Sequence, residues 1–295
     1  MKEKFLSIND SKYPDPLSQV YRPPQKLFYR GDPLILSGNL IAFVGTRNFT
    51  PYGKFAVEKL IGDLSLCDIV IVSGLAKGID TLAHRAALDN GMKTVAVLGT
   101  GISCFYPPEN LKLAEEIIAK GGCIVSEYYG DAAPLTFHFP ERNRIIAGLS
   151  LATVVVEAPE SSGALINAKR ANESDREVFA VPGDIDRLES VGCNKLIQDS
   201  AAIPVLSGID IIRELKIQPS FFKKNKIKDD GKVWRHLDGN VLKVFESIPK
   251  TKPVSIERII EASGLPLNEI NKALSLLEIS MFIVSTNSGF YLRTV

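Results

Sequence analysis

Between residues 40 and 205 the chain alternates short apolar runs with stretches of helical spacing. The runs at 40–44, 69–72, 94–98, 124–125, 151–156, 178–181 and 202–205 read as strands, most of them apolar at every position. A strand without polar alternation is buried on both faces, so the pattern predicts a parallel sheet covered by helices. Helices are expected from Pro51, over 80–90, over 109–120, from Arg142, over 164–171 and after Gly192. Pro51 suits a first helical turn, and Phe55, Val57, Leu60, Ile61 and Leu64 follow helical spacing. Gly91 and Gly121 stand where two of these helices should stop. Residues 1–39 hold Pro14, Pro16, Pro23, Pro24 and Pro33 and predict an irregular lead-in.

The pattern changes after residue 236. Helical spacing at 237–248, 255–263 and 267–279 is followed by two short strands, 282–285 and 290–292, around Asn287-Ser288-Gly289. Three helices and a hairpin suggest a winged-helix module, with Ile270, Leu274 and Leu277 in its core and Ser255 as a helix cap. The expected organisation is therefore α/β: a lead-in at 1–39, a Rossmann-like parallel sheet domain at 40–215, a linker at 216–236 and a small winged-helix domain at 237–295.

Charge sharpens this division. The chain of 295 residues carries 35 Lys+Arg and 34 Asp+Glu, a net +1. Residues 1–215 sum to −4 (22 basic, 26 acidic), residues 216–235 to +5 (7 and 2), and residues 236–295 to zero (6 and 6). The whole chain lacks the basic footprint of a general nucleic-acid binder, so any such role rests on a local patch. The segment at 216–235 reads as a tether able to touch phosphates, and the uncharged balance of the last domain favours a protein-contacting module over a DNA reader. Cys67, Cys104, Cys123 and Cys193 show no C-x-x-C spacing and sit in apolar or helical stretches, which suits reduced thiols. There is no signal peptide and no apolar run of membrane length, so a cytoplasmic protein without a membrane partner is expected. No metal and no cofactor is expected.

The polar motifs fall at the carboxyl ends of the predicted strands. They are Gly45-Thr46-Arg47, Ser73-Gly74, Gly99-Thr100-Gly101, Ser126-Glu127, Glu157-Ala158 and Pro182-Gly183. In an open parallel sheet this rim is where ligands bind. Arg47, Lys77, Arg142 and Arg144 bring cations to it, and Phe137, His138 and Phe139 stand just before the arginines. Cations beside helix starts form an anion site, and aromatic faces beside guanidinium groups suit the bases and phosphates of a single strand. There is no G-x-G-x-x-G after the first strand, no G-x-x-x-x-G-K-[ST] and no G-x-S-x-G, which argues against a dinucleotide enzyme, a P-loop NTPase and a serine hydrolase.

These motifs, in this order, resemble the bacterial DNA-processing protein A family, also called DprA or Smf. The resemblance rests on Val44-Gly45-Thr46-Arg47, on residues 73–80 with His84 after them, and on Tyr106-Pro107-Pro108-Glu109-Asn110. It continues through Ser126-Glu127-Tyr128, residues 139–150, Val156-Glu157-Ala158, Ser162-Gly163-Ala164-Leu165 and Phe179-Ala180-Val181-Pro182-Gly183, and it spans roughly 12–215. It implies an extended Rossmann-like domain that binds single-stranded DNA, protects incoming DNA in natural transformation and brings the RecA recombinase to it, without being an enzyme. It carries a DNA-binding role onto Arg47, Lys77, Arg142 and Arg144, with Asn143, Phe139, Gly45, Ser73, Gly74 and Gly163 around them. It also implies a homodimer through about 194–205, with Leu196, Ile197 and Ile203 as apolar candidates. Two positions depart from the family pattern: Asn167-Ala168 stands where members usually carry Thr-Ala, and Ser200-Ala201 where they carry Gly-Ala.

Two other readings compete. A related Rossmann-like group cleaves nucleoside monophosphates using Pro-Gly-Gly-x-Gly-Thr and a following Glu. The corresponding segment, Ala158-Pro159-Glu160-Ser161-Ser162-Gly163-Ala164-Leu165, has neither the double glycine nor that Glu. The other is a nucleotide-sensing protein that binds no DNA.

Overall fold

The computed structural model describes residues 3–217, 237, 239–250, 252–280, 282–285 and 289–293. The chain divides into two compact units, Met1–Ser65 with Ile69–Ile211 and Leu66–Asp68 with Ile212–Val295. Of the basic stretch at 216–236, residues 218–236 lie outside the described residues.

The first unit begins with β1 (Lys4–Ser7), α1 (Asp15–Ser18) and β2 (Lys26–Gly31), then β3 (Asn39–Val44), α2 (Pro51–Leu64), β4 (Ile69–Ser73) and α3 (Ile79–Asp89). It continues through β5 (Thr94–Gly101), α4 (Leu111–Ala119), β6 (Cys123–Tyr128), α5 (His138–Leu149) and β7 (Ala152–Val155). α6 (Gly163–Asn172), β8 (Glu177–Ala180), α7 (Val191–Gln198) and β9 (Ile203–Pro204) follow, and α8 (Gly208–Glu214) begins in this unit and ends in the second. The strands form one nine-stranded sheet in the order β1-β2-β6-β5-β4-β3-β7-β8-β9. From β6 to β9 all pairings are parallel. The apolar runs have the predicted consequence: β4 is buried at all five positions and β5 at all eight. One cluster joins Leu40, Val72, Val97 and Val125 to Ile145, Ile146 and Leu149 of α5. Another joins Leu98 and Ile124 to Leu75, Leu88 and Ile117. An α/β fold with a large, mostly parallel sheet is the observed class.

The first 39 residues are not an irregular lead-in. β1 pairs antiparallel with β2, and β2 pairs antiparallel with β6, setting Phe28 opposite Ser126 and Gly31 opposite Cys123. The prolines stand outside both strands: Pro14 and Pro16 start α1, and Pro33 opens a short 3-10 turn. They therefore punctuate the segment without breaking its strands. Leu17, Leu27 and Leu36 are buried and anchor this layer to the main core. Ser200, one of the two family departures, has φ +55, the left-handed region where glycine is favoured.

The second unit holds α9 (Gly239–Glu246), β10 (Val254–Ser255), α10 (Ile256–Ser263), α11 (Leu267–Ile279), β11 (Ile283–Ser285) and β12 (Phe290–Arg293). The strands pair in the order β10-β12-β11. Ile270, Leu274 and Leu277 are buried as expected, around Phe245 and Ile259. Arg293 donates from Nε to the Phe245 carbonyl at 2.9 Å and lies over its ring at 4.1 Å. Ser255 sits at the start of α10 without a side-chain cap bond. Its hydroxyl instead donates to Glu257, which draws that carboxyl below its usual range. No described helix is long and apolar enough to cross a membrane.

Gly31 has φ +96, and a Cβ there would strike the Gly122 carbonyl of the facing strand connection. Gly91 has φ +68 but open space around it. Gly31→Ala should therefore lose about 3 kcal/mol or more, against about 1 kcal/mol for Gly91→Ala, read from urea unfolding midpoints.

Candidate nucleic-acid interface

β3 pairs with β4 on one side and β7 on the other. The chain runs outward from β3 through β4 and β5 to β6, then returns to β7 and runs the other way. At such a reversal the loops beyond the strand ends diverge and leave a crevice. The crevice here is a cleft of about 430 Å³. Gly45, Thr46 and Arg47 line it from the loop after β3; Pro159, Ser161, Ser162, Gly163 and Asn167 line it from the β7 side. Asp80 from α3 and Phe139, Arg142 and Asn143 from α5 complete its wall. Gly45 is required by packing, since a Cβ would meet the Ile79 side chain at 2.5 Å.

Two helices start at this reversal, and only one presents its end to the cleft. At α2 the Thr50 N–H donates to Glu157 Oε2 at 2.9 Å, and the Thr50 hydroxyl donates to Oε1. A Cβ on Gly53 would collide with the same carboxylate. The positive end of α2 is thus met by the protein's own anion, in the place where a Rossmann enzyme holds a cofactor phosphate. At α6 the Ser162 hydroxyl accepts from the Ala164 N–H at 3.2 Å, and the helix opens on Gly163, beside which nothing lies within 4 Å of a Cβ position.

The geometry of α5 sorts the predicted cations. Phe139, Arg142 and Asn143 are spaced i, i+3 and i+4, share one face and all line the cleft. Arg144 is two residues past Arg142, turned by about 200° around the helix. It lines a separate depression with Arg22, Lys26, Phe137, Glu127 and Glu141. There its Nη2 donates to both Glu127 oxygens at 2.6 Å, and its Nε lies 3.7 Å from Glu141. The four expected cations are therefore not gathered on one rim.

Arg142 is 6% exposed. Its Nη1 donates to the Gly74 carbonyl at 2.7 Å and to the Val97 carbonyl, and its Nε to Asn143 Oδ1 at 3.3 Å. Burial pulls its pKa down, the charge of Asp80 opposes this, and neighbouring Arg47 adds to it. Asp80 accepts from the Gly74 N–H at 3.1 Å and the Ala76 N–H at 3.3 Å. Burial raises its carboxyl above the usual range, against the pull of Arg142. Gly74 is clamped between the two, and a Cβ there would strike the guanidinium. Ser73 is fully buried, its hydroxyl donating to the Phe43 carbonyl at 2.7 Å, so it braces β3 against β4.

Lys77 is exposed and donates to Glu109 at 2.7 Å. With Arg47, Tyr106, Phe139 and Arg142 it lines a small hollow adjoining the cleft. Arg47 is exposed and has no carboxylate partner among the described residues. Of the predicted aromatics, Phe139 lines the cleft and lies 5.8 Å from Tyr106. His138 is buried and stacked on Tyr128 at 3.8 Å, and Phe137 belongs to the Arg144 depression. Leu196 and Ile197 are half-buried against the main core, and Ile203 lies on β9 at the edge of the sheet. Asp80, Glu157, Asn167 and Tyr106 stand in motifs the sequence marked, but none of them was among the expected DNA-binding residues. The legible signal for Asp80 was an acid in the first turn of a helix directly after a glycine loop.

His84, in the family-like segment, is packing. Its Nδ1 lies 2.7 Å from Thr94 Oγ1, and that hydroxyl donates to the Ile71 carbonyl at 2.7 Å. Nδ1 therefore carries the proton and Nε2 is a buried acceptor without a partner. Burial drives the imidazole pKa down to about 3.

The sequence model described as DNA recombination-mediator protein A matches residues 4–216. The DNA processing protein DprA of Streptococcus pneumoniae is 49% identical over 216 residues, which are 72% of this chain and 76% of that protein. Protein Smf of Escherichia coli is 34% identical over 295 residues, 97% of this chain and 76% of its own length. The X-ray structure of the S. pneumoniae protein superposes with a TM-score of 0.69 at 48% identity, covering 72% of this chain and 75% of that one. A structure of DNA processing protein A from Helicobacter pylori, described for its single-stranded DNA binding mode, gives 0.65 at 31% identity and covers 73% and 96%.

Arg142→Ala should cost about 3 kcal/mol or more, because it leaves Asp80 buried without its countercharge; Arg47→Ala should stay within about 0.5 kcal/mol in the same urea titration. His84 supplies a pH signature. Its folded pKa lies below the unfolded value, so stability is complete above about pH 6.5 and falls as the pH drops below it, by about 1.4 kcal/mol per unit. His84→Gln should flatten that slope between pH 6.5 and 5 in a melting series.

Proposed function

The chain belongs to the DNA recombination-mediator protein A family, and from that premise we propose that it binds single-stranded DNA in the cleft between the β3 and β7 loops. One observation carries this reading: Arg47, exposed and without a carboxylate partner among the described residues, stands beside buried Arg142, aromatic Phe139 and the open start of α6 around one nucleotide-sized cleft. Arg47 supplies the phosphate contact and Phe139 a stacking face. Lys77 is a second cation on the adjoining hollow, Asn143 and Gly163 shape the wall, and Gly45 and Gly74 keep the loops close.

We extend the reading to a protein that protects incoming DNA in the cytoplasm during natural transformation and hands it to the RecA recombinase, acting as a homodimer and not as an enzyme. The carboxylate that lines the cleft, Asp80, is already committed to backbone N–H groups, and neighbouring Glu157 to Thr50, which supports binding over acid–base chemistry. For dimerisation, β9 is a sheet edge among the described residues, with half-buried Ile203 on it, half-buried Ile197 in the helix before it and exposed Leu206 just after it. The zero charge of the last sixty residues supports a winged-helix module that contacts protein rather than DNA.

Fluorescence anisotropy with oligo-dT tests the reading. Binding should exceed that to a duplex of equal length. With Arg47 and Lys77 neutralising phosphate, log K should fall against log salt with a slope of about −1.4. Arg47→Ala should weaken binding by about tenfold or more, the loss of one charge-assisted hydrogen bond. Equal affinity for duplex, or an unchanged Arg47→Ala, refutes the cleft as the site, and release of free base from a nucleoside monophosphate would favour the enzyme reading.

A further inference from the structure

Asn167 sits in the second turn of α6, is 6% exposed and lines the cleft. Its Oδ1 is buried and has no hydrogen-bond partner. Among the described residues a few other buried side chains hold partnerless polar atoms, among them His84, Arg144 and Thr153, but none of these lines the cleft. A buried acceptor of this kind is completed by a donor when its ligand arrives, because leaving it unpaired is costly.

The chemistry of an acceptor restricts that ligand. A phosphodiester is fully ionised and offers only acceptor oxygens, so the backbone of a strand cannot complete Oδ1. Deoxyribose carries a hydroxyl only at a chain end. What remains along a DNA strand is the N–H of a base edge. Each of the four bases presents an N–H next to an acceptor there, which a carboxamide can meet with both of its atoms. These edges are exposed in a single strand and occupied in a duplex. On the adjacent helix α5, Asn143, which also lines the cleft, already has its Oδ1 engaged by Arg142, so its carboxamide is fixed as a donor toward anything else in the cleft.

We propose that Asn167 reads the pairing edge of one base inserted into the cleft, accepting its N–H, so that single-strand selectivity comes from an unpaired base as well as from the phosphates. This rests on the single-strand reading above. It also gives a physical role to a position where the chain departs from the family pattern.

The test uses full-length protein and two oligonucleotides of equal length, oligo-dT and its N3-methylthymine counterpart, which keeps the backbone and the stacking surface but has no imide N–H. Wild type should bind oligo-dT about tenfold more tightly. Asn167→Ala, which removes the acceptor and leaves room for the methyl group, should bind both alike at the weaker level, while the free variant melts no lower than wild type. Asn167→Asp should keep the preference for oligo-dT, at reduced affinity for both, because its oxygen still accepts. If wild type binds the two oligonucleotides equally, or if Asn167→Ala retains the preference, Asn167 reads no base, though the cleft still binds DNA. If wild type prefers oligo-U ribonucleotide over oligo-dU and ignores N3 methylation, the acceptor serves a sugar hydroxyl and base reading is overturned. Failure of wild type to bind oligo-dT at all removes the single-strand reading and this inference together.

Discussion

A single buried guanidinium holds the rim of this sheet together. Arg142 reaches from α5 across the end of β4 to β5, donating to the carbonyls of Gly74 and Val97. Gly74 lies just past the end of β4, and Val97 lies in β5 one residue past its last pairing with β4, so that ladder no longer supplies partners there and a buried orphan is expensive. Asp80 does the same for the neighbouring N–H groups from the start of α3. Neither ion would be tolerable in that place alone. Together they close the hydrogen bonding of three elements at one point and fix where the cleft wall stands. Buried charge here sets position more than stability, since an apolar pair of the same volume could pack as well but would leave the loop backbone unsatisfied.

The same rim shows why a Rossmann-like sheet need not bind a dinucleotide. The crevice at the β3/β7 reversal has two helix ends available to it. Glu157 fills the first, so the anion that defines dinucleotide binding is supplied internally. The second, at α6, stays open and is lined by Ser161, Ser162 and Gly163. The missing glycine fingerprint after β3 is then a consequence rather than a curiosity: a helix start met by the Glu157 carboxylate from the β7 side has no need for backbone to approach a pyrophosphate there.

Much of the fold was legible because burial on two faces leaves an unmistakable run of apolar residues, as in β4 and β5. β1 and β2 were not, because they lie at the sheet edge, are short and mix lysine, arginine and apolar residues, while nearby prolines signal loops. At the site, the sequence located the rim but not the sides of α5. Arg142 and Arg144 are adjacent in any motif, yet a rotation of about 200° sends one into the cleft wall and the other to Glu127 on a different surface. Asn167 was visible only as a departure from a pattern; that its oxygen lacks a partner depends on what surrounds it in three dimensions.

Charge bookkeeping brings these points together. The first 215 residues are net acidic by four, and the expected cations are mostly spent on the protein itself: Lys77 on Glu109, Arg144 on Glu127, Arg142 on backbone carbonyls. A polyanion approaching this surface meets little long-range attraction, since exposed charges are screened within about 8–10 Å at physiological salt. On the proposed reading, selectivity comes from contacts inside the cleft, made only by a strand whose bases are free to turn inward. Duplex DNA, which carries a denser phosphate charge, loses its usual advantage because steering contributes little. A cleft with one open arginine and an unpaired carboxamide, in an acidic domain, is therefore better suited to choosing a single strand than a basic groove, which would hold both forms.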